Sequence, residues 1–249
     1  MKYWKSWELK NTKYNEWYQK KPSKVFLILW DILQRKCMEL VPYPTHEQDI
    51  LLDVGCGDGR YIISSIKNRG YFSIGIDPNN KVSLIPAKKR ISEAGFNAFL
   101  IRSVGESTPL RESSVSVALC NSALDHMIEP NAVLKEIHRV LKENGTLIMW
   151  QGIYQHKNHK KETFEQETHV NVFSKESLFE MLKDTGFSIN CINLLGCDII
   201  ASSEENKAIS SRFPEFFNNQ LSTLLQLYLS LGKIFPKHAS IIMLKLKKT

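Results

Sequence analysis

ILLDVGCGDGR, residues 50–60, decides the fold. Ile50 to Val54 reads as a short aliphatic strand, and a helix is expected to begin near Arg60. Between them Gly55, Gly57 and Gly59 stand at alternate positions, so the backbone can turn sharply and approach a ligand with no Cβ in the way. The helix start that follows offers unpaired N–H groups. The next apolar run, FSIGI (72–76), leads into Asp77, Pro78 and Asn79, which puts an acid at a strand tip 24 residues beyond Asp53. A carboxylate there can accept both hydroxyls of a ribose, and loop plus acid together indicate a nucleoside-containing cofactor. The glycines are spaced two and two, which departs from the G-x-G-x-x-G dinucleotide fingerprint.

Outward from this loop, short β-branched runs alternate with amphipathic stretches as far as residue 150, the pattern of βα units on a parallel sheet. ILLDV (50–54), FSIGI (72–76), NAFLI (97–101), VSVALC (115–120) and TLIMW (146–150) are the strand candidates. Val133, Leu134, Ile137, Val140 and Leu141 share one helical face, with Asn131 placed to cap the start and Gly145 to end the helix. Ser174 opens another helix, with Leu178 and Leu182 on one face and Gly186 as its stop. A sixth strand follows near 187–194, and SIIMLKLKK closes the sequence as a seventh. Pro86 falls inside the second helix of the alternating core, where it removes a hydrogen bond and should break or kink it.

The chain has 249 residues, a size one α/β domain can reach, and its hydrophobic (43%) and charged (24%) fractions exclude a disordered, collagen-like or membrane-spanning chain. The net charge of +7 favours an anionic partner without naming one, and a soluble basic surface explains it equally. Cys37, Cys56, Cys120, Cys191 and Cys197 are odd in number with no C-x-x-C pair, so they read as small buried residues in a reducing compartment. The opening MKYWKSWELK lacks the apolar run of a signal peptide, and Val25 to Leu33 is too short to span a bilayer. These features place the protein in the cytoplasm.

DVGCGDG, GIDPN, VGESTPL, NSALDHM and LKEIHRVLKENGTLIMW stand in the order found in class I S-adenosylmethionine-dependent methyltransferases, and the chain resembles their methyltransferase-11-like branch from about Ile50 to Phe187. The resemblance implies an α/β, Rossmann-like sheet of seven strands in the order 3-2-1-4-5-7-6, the last antiparallel, with helices on both faces. It implies S-adenosyl-L-methionine as cofactor and S-adenosyl-L-homocysteine as product. Gly55, Cys56 and Gly57 would line the methionine moiety, and Asp53 would hold its amino group or brace the loop. Asp77 would bind the ribose, Pro78 would pack on the adenine, and the backbone at Gly105 and Glu106 would read the adenine edge. Asn121 and Ser122 would face the methionine carboxylate or the sulfonium. The chain departs from the family at Val104, where an adenine-binding Asp is frequent, and at Val115-Ser116, where a Phe-Asp pair is; adenine recognition then rests on backbone groups and Glu106.

On the acceptor side, His126 lies just past strand four at the edge where open α/β sheets bind ligands, as a base or as a packing residue, with Asp125 expected to point another way. His169 is the second candidate for a base, at the end of the polar segment 151–172. His156, His159 and His169 with Glu162, Glu165 and Glu167 match no metal-ligand spacing, so no metal is expected. Residues 1–45 form an N-terminal helical extension whose Trp4, Trp7, Tyr14 and Tyr18 share a face: a lid, a packing element or an interfacial membrane contact. Residues 46–249 form the methyltransferase domain, with 151–172 and 205–236 as substrate-side insertions. The function expected is methyl transfer by in-line displacement to an oxygen or nitrogen of a small-molecule acceptor. An RNA-modifying enzyme, with nucleic acid as partner, and a non-catalytic cofactor-binding partner subunit are the competing readings.

Overall fold

The computed structural model describes residues 24–153, 170–196 and 241–249, together with Tyr3, Trp4, Trp7 and positions 223, 226–231, 233 and 239. The aliphatic runs pair into one sheet: β1 (Ile50–Val54), β2 (Phe72–Asp77), β3 (Phe99–Arg102), β4 (Val115–Asn121), β5 (Leu141–Gly152), β6 (Phe187–Leu195) and β7 (Ile241–Lys248), in the order β3-β2-β1-β4-β5-β7-β6. β1 to β5 run parallel, and β7 is antiparallel to both β5 and β6.

Helices α1 (Lys24–Leu40), α2 (Arg60–Arg69), α3 (Ile85–Glu93), α4 (Pro130–Val140) and α5 (Lys175–Asp184) cover the sheet. Because side chains alternate along a strand, each central strand feeds two cores. Leu51, Val117, Leu119, Ile148, Trp150 and Met243 pack under α1 and Tyr61 of α2. Leu52, Val54, Ala118, Cys120, Leu147, Met149 and Leu244 meet Val133, Leu134 and Ile137 of α4 and Leu178 and Leu182 of α5. Cys37, Cys56 and Cys120 are buried and Cys191 is half-buried, while Cys197 lies outside the described residues.

Three local expectations resolve differently in detail. The chain after β2 enters a wide π-type turn, Asn80–Leu84, before α3, whose first turn carries Pro86; the break forms where proline tolerates it. α4 begins at Pro130, which suits a first helical position because it has no N–H to satisfy, so Asn131 is inside the helix instead of capping it. The same helix ends at Val140, five residues before Gly145. Leu141 turns extended because its fully buried side chain and its pairing with Val115 already belong to β5. By contrast Ser174 caps α5 as expected, accepting from Ser177 N while Ser177 Oγ accepts from Ser174 N in a reciprocal box.

Just before β1, Asp49 ties the non-catalytic edge together. Its Oδ2 accepts from Thr45 N and His46 N, and its Oδ1 accepts from Ser116 Oγ and Lys142 Nζ. Burial opposes the charge, but these donors outweigh it and hold the carboxyl well below the usual range. A depressed carboxylate contributes stability above its unfolded pKa and loses it as pH falls. Asp49→Ala is expected to cost about 2–4 kcal/mol in urea unfolding at pH 7. Its deficit against the wild type should narrow as pH drops below ~4, where the carboxyl takes up a proton in the unfolded chain but stays charged in the folded one.

Candidate cofactor and acceptor site

The glycine loop hangs on the tip of β2. Gly55 N and Cys56 N both donate to Ile76 O, at 2.9 and 3.0 Å, and Gly57 N donates to Asp77 Oδ2 at 3.1 Å. Gly55, Gly57 and Gly59 all adopt left-handed backbone (φ 75°, 49° and 79°), which only glycine takes without cost. At Gly55 the requirement is also steric, since a Cβ there would stand 2.7 Å from the Ala123 Cβ. Asp58 closes the loop from outside, accepting from Arg60 Nε at 2.8 Å and pairing with Arg90 at 3.1 Å. The Cys56 side chain turns into the packing between α2 and α3 with Ile62, Leu84, Ala87 and Ile91, so this residue offers the site only its backbone.

Two carboxylates flank the loop. Asp53, near the end of β1, is 1% exposed, and its Oδ2 is buried with no hydrogen-bond partner. Burial first, then the charges of Asp77 and Asp58, push it up to about 8. Asp77, at the end of β2, accepts from Asn79 N at 2.8 Å as well as from Gly57 N. Burial raises it to about 6 against the pull of those two N–H groups and of His126 across the cleft. Pro78 follows, half-buried, and its carbonyl accepts from Arg102 Nε. Trp4 lies on the Arg102 guanidinium, 5.1 Å from it, and meets Trp7 edge-on.

Strand β4 ends beside β1 and presents the opposite chemistry. Asn121 Oδ1 accepts from Trp150 N at 3.1 Å and from Cys37 Sγ at 3.5 Å, while its Nδ2 is buried with no acceptor. Ser122 carries φ 47°, an unusual backbone for a non-glycine residue, held by its N–H to Trp150 O. A short turn, Leu124–His126, then sets His126 at the cleft with its side chain 21% exposed. Asp125 does not point away, as the sequence suggested. Its Oδ1 lies 3.9 Å from His126 Nε2, because the tight turn carries both side chains to the same edge.

The third wall differs from the expectation for adenine recognition. Glu106 is buried and its Oε1 accepts from Ile128 N and Glu129 N, so the carboxylate braces the entry to α4. Gly105 is packed under Met127, whose Sδ lies 2.8 Å from where a Cβ would be. The packing roles of Met127 and Asn171 were not foreseen from the sequence. Asn171 Nδ2 donates to Met127 O at 2.6 Å, and Val170 N and Asn171 N both donate to Asp125 O, which clamps the returning chain onto the His126 turn. His169, with His156, His159, Glu162, Glu165 and Glu167, lies outside the described residues. Among the described residues no group of three or more His, Cys, Asp or Glu side chains could hold a metal ion, and no helix is long and apolar enough to cross a membrane.

A parallel sheet reversing at β1 and β4, a glycine loop at that switch point and an antiparallel β7 define the class I methyltransferase fold. Residues 52–149 match the methyltransferase-11 family, described as a methyltransferase domain, and the chain has the fold of the class I methyltransferases. The chain is 26% identical over 109 residues to a thiol S-methyltransferase of Rattus norvegicus, covering 44% of this chain and 45% of that one. Among solved structures it is similar to geranyl diphosphate C-methyltransferase from Streptomyces coelicolor A3(2), with 14% identity and a TM-score of 0.67 over 88% of this chain and 79% of that one. It is similar also to the [4+2]-cyclase SpnF, with 19% identity and a TM-score of 0.61 over 88% and 80%. These structural likenesses establish the fold alone. The chain spans between 36% and 63% of the length of the curated relatives it matches.

The solitary Asp53 carboxylate gives the ligand-free domain a pH signature. An acid whose folded pKa is raised binds more protons folded than unfolded, so stability falls as pH climbs from ~4 towards 8. Asp53→Asn removes that ionisation and is expected to unfold later in urea than the wild type, by ~2 kcal/mol or more at pH 8 and by little at pH 4.

Proposed function

We propose that the chain is a methyltransferase that moves the methyl group of S-adenosylmethionine onto a heteroatom of a small-molecule acceptor by in-line displacement. The observation that carries the reading is the pair of buried groups on adjacent strands: an acceptor, Asp53 Oδ2, and a donor, Asn121 Nδ2, neither with a partner. An α-ammonium and an α-carboxylate would complete them, and the cofactor's methionine end has both. Asp77 would take the ribose hydroxyls, sharing its oxygens between the ligand and the N–H groups of Gly57 and Asn79. The backbone of Gly55, Cys56 and Gly57 would line the methionine chain, and Pro78 and the Gly105 backbone the adenine. Ser122 sits where β4 opens to the sulfonium end.

When bound, the cofactor supplies an electrophilic methyl on a sulfonium. The residues of this chain then have to hold the acceptor atom in line and keep water out. The acceptor read from the sequence was oxygen or nitrogen; the likeness to a thiol S-methyltransferase widens the heteroatom to include sulfur. His126, at the cleft and near Asp77, suits removal of a proton from such an atom. The N-terminal extension fits a lid, supported by the contact of Trp4 with Arg102, which in turn holds Pro78 at the ribose acid.

Calorimetric titration of the stripped protein with S-adenosylmethionine and S-adenosylhomocysteine tests the reading. Both should bind in the micromolar range, and absence of either binding overturns it. Asp77→Ala should weaken binding at least tenfold, about 1.4 kcal/mol. An ammonium beside Asp53 favours its ionised form, so binding at pH 7 should release protons, seen as a buffer-dependent enthalpy that disappears in Asp53→Asn. Trp4→Ala should speed S-adenosylhomocysteine release several-fold in stopped-flow fluorescence while leaving the unfolding midpoint unchanged.

A further inference from the structure

We infer that Asp125 and His126 act as a carboxylate–imidazole pair that takes the proton from the acceptor, so that the acceptor is a thiol or phenol-like X–H group, protonated in solution, on an apolar body. The inference rests on the methyltransferase reading and specifies the acceptor side of the same site.

Four observations converge. Asp125 Oδ1 lies 3.9 Å from His126 Nε2, an ion-pair distance that shortens readily when the ring gains a proton. The carboxylate is the more buried member, its side chain 11% exposed against 21% for the imidazole, so the acid stands behind and the ring stands towards the cleft. That is the order in which a carboxylate can orient a ring and stabilise its cationic form while the ring meets the ligand. The turn bearing the pair is rigidly held: Val170 N and Asn171 N donate to Asp125 O at 2.8 and 3.0 Å, Asn171 Nδ2 donates to Met127 O, and Glu106 Oε1 accepts from Ile128 N. A base needs such fixation, because an error of an ångström costs much of the advantage of proximity. Finally, the chain that clamps this turn exposes apolar side chains: Val170, whose N–H donates to Asp125 O, and Val172 are 40% and 44% exposed, and Met127, next to His126 in the chain, packs against Gly55 and Gly105.

The charges facing the imidazole shape what it can do. Asp125 lies on its own turn, and Asp77 faces it from the end of β2. Both disfavour entry of an acceptor that is already anionic. A neutral X–H acceptor enters without that repulsion, and passing its proton to the imidazole leaves an anion–imidazolium pair of unchanged net charge. The balance closes: the X–H bond breaks with its proton going to the imidazole, the X–C bond forms, and the C–S bond of the sulfonium breaks with its electron pair staying on sulfur. The imidazolium then returns its proton to solvent.

Asp125 is a positioning residue in this scheme and His126 the catalytic one. Their test uses wild type, His126→Gln and Asp125→Asn, with S-adenosylhomocysteine affinity as the check on folding and on the cofactor site. The first readout is the ultraviolet difference spectrum of benzyl mercaptan, a thiol protonated at neutral pH, bound to the S-adenosylhomocysteine complex, where no methyl can be transferred. The wild type should hold it as the thiolate and His126→Gln as the thiol, with Asp125→Asn in between. The second is methyl transfer to a series of thiophenols, phenols and benzyl mercaptan. His126→Gln should lose at least fiftyfold, and Asp125→Asn about tenfold, on acceptors protonated at the assay pH. Both should stay within threefold of wild type on strongly acidic thiophenols that are already ionised. Asp125→Asn should also move the acid limb of the kcat profile to lower pH, because the imidazolium loses its partner. Equal losses on acidic and weakly acidic acceptors, or thiolate retained in His126→Gln, would overturn the pair. A wild type that binds S-adenosylhomocysteine yet neither binds nor methylates any X–H probe overturns the acceptor class and leaves the methyltransferase reading standing. Failure to bind S-adenosylhomocysteine brings down both.

Discussion

The hydrogen bond from Gly57 N to the Asp77 carboxylate is the constraint on which the site is built. Three successive N–H groups of the glycine loop, at residues 55, 56 and 57, are consumed by residues 76 and 77 at the tip of the neighbouring strand. The loop therefore cannot open without stranding three donors, and buried donors without partners are costly. The same carboxylate takes Asn79 N, which starts the wide turn that leads into α3. One side chain thus sets the shape of the loop after β1 and the exit from β2 together. Substituting an apolar residue would leave the backbone of both without acceptors, whatever happened to ligand binding.

How much of this was visible in the sequence follows from how local each cause is. The glycines, Asp77 and the strand runs are readable because a left-handed turn, a strand-tip acid and period-two burial are written in neighbouring residues. The roles of Glu106 and Met127 are not, since both depend on contacts across more than twenty residues of chain: Glu106 with Ile128 N, and Met127 against Gly55 and Gly105. Glu106 was read as a ligand contact because it is a polar residue in the right loop, and only the tertiary arrangement shows its oxygen committed to the entry of α4. The end of α4 was misplaced for a related reason. Leu141 continues the apolar helical face in sequence, but its place beside Val115 in the sheet wins over that periodicity.

The N-terminal helix reads as an addition to the alternating βα core, yet it fixes a group at the centre of the site. Cys37 Sγ of α1 and Trp150 N both donate to Asn121 Oδ1. With two donors on the oxygen, a flipped amide would set N–H against N–H, so the orientation of Nδ2 is determined by its surroundings. α1 is itself held by Gln34 Nε2 on Arg60 O and Ser64 Oγ, and by Trp30 stacked edge-on to Trp150, whose Nε1 donates to Tyr61 Oη at 2.7 Å. A segment outside the repeating pattern therefore reaches that amide directly through the Cys37 sulfur and indirectly through the packing of Trp30 on Trp150.

The two aspartates that flank β1 show where the fold spends its polar groups on stability and where it leaves them for a ligand. Asp49 and Asp53 are four residues apart on the same central strand path, both buried, and experience opposite shifts. Asp49 is surrounded by donors from the preceding turn, β4 and Lys142, so it is charged and satisfied and braces the edge that meets no ligand. Asp53 has an unpartnered oxygen among other acids. A folded chain that only needed stability would have replaced such a carboxylate with an aliphatic side chain, since the sheet on either side is apolar. Opposite it stands an equally unpartnered amide, the arrangement on which the proposed binding of a molecule with both a cation and an anion rests.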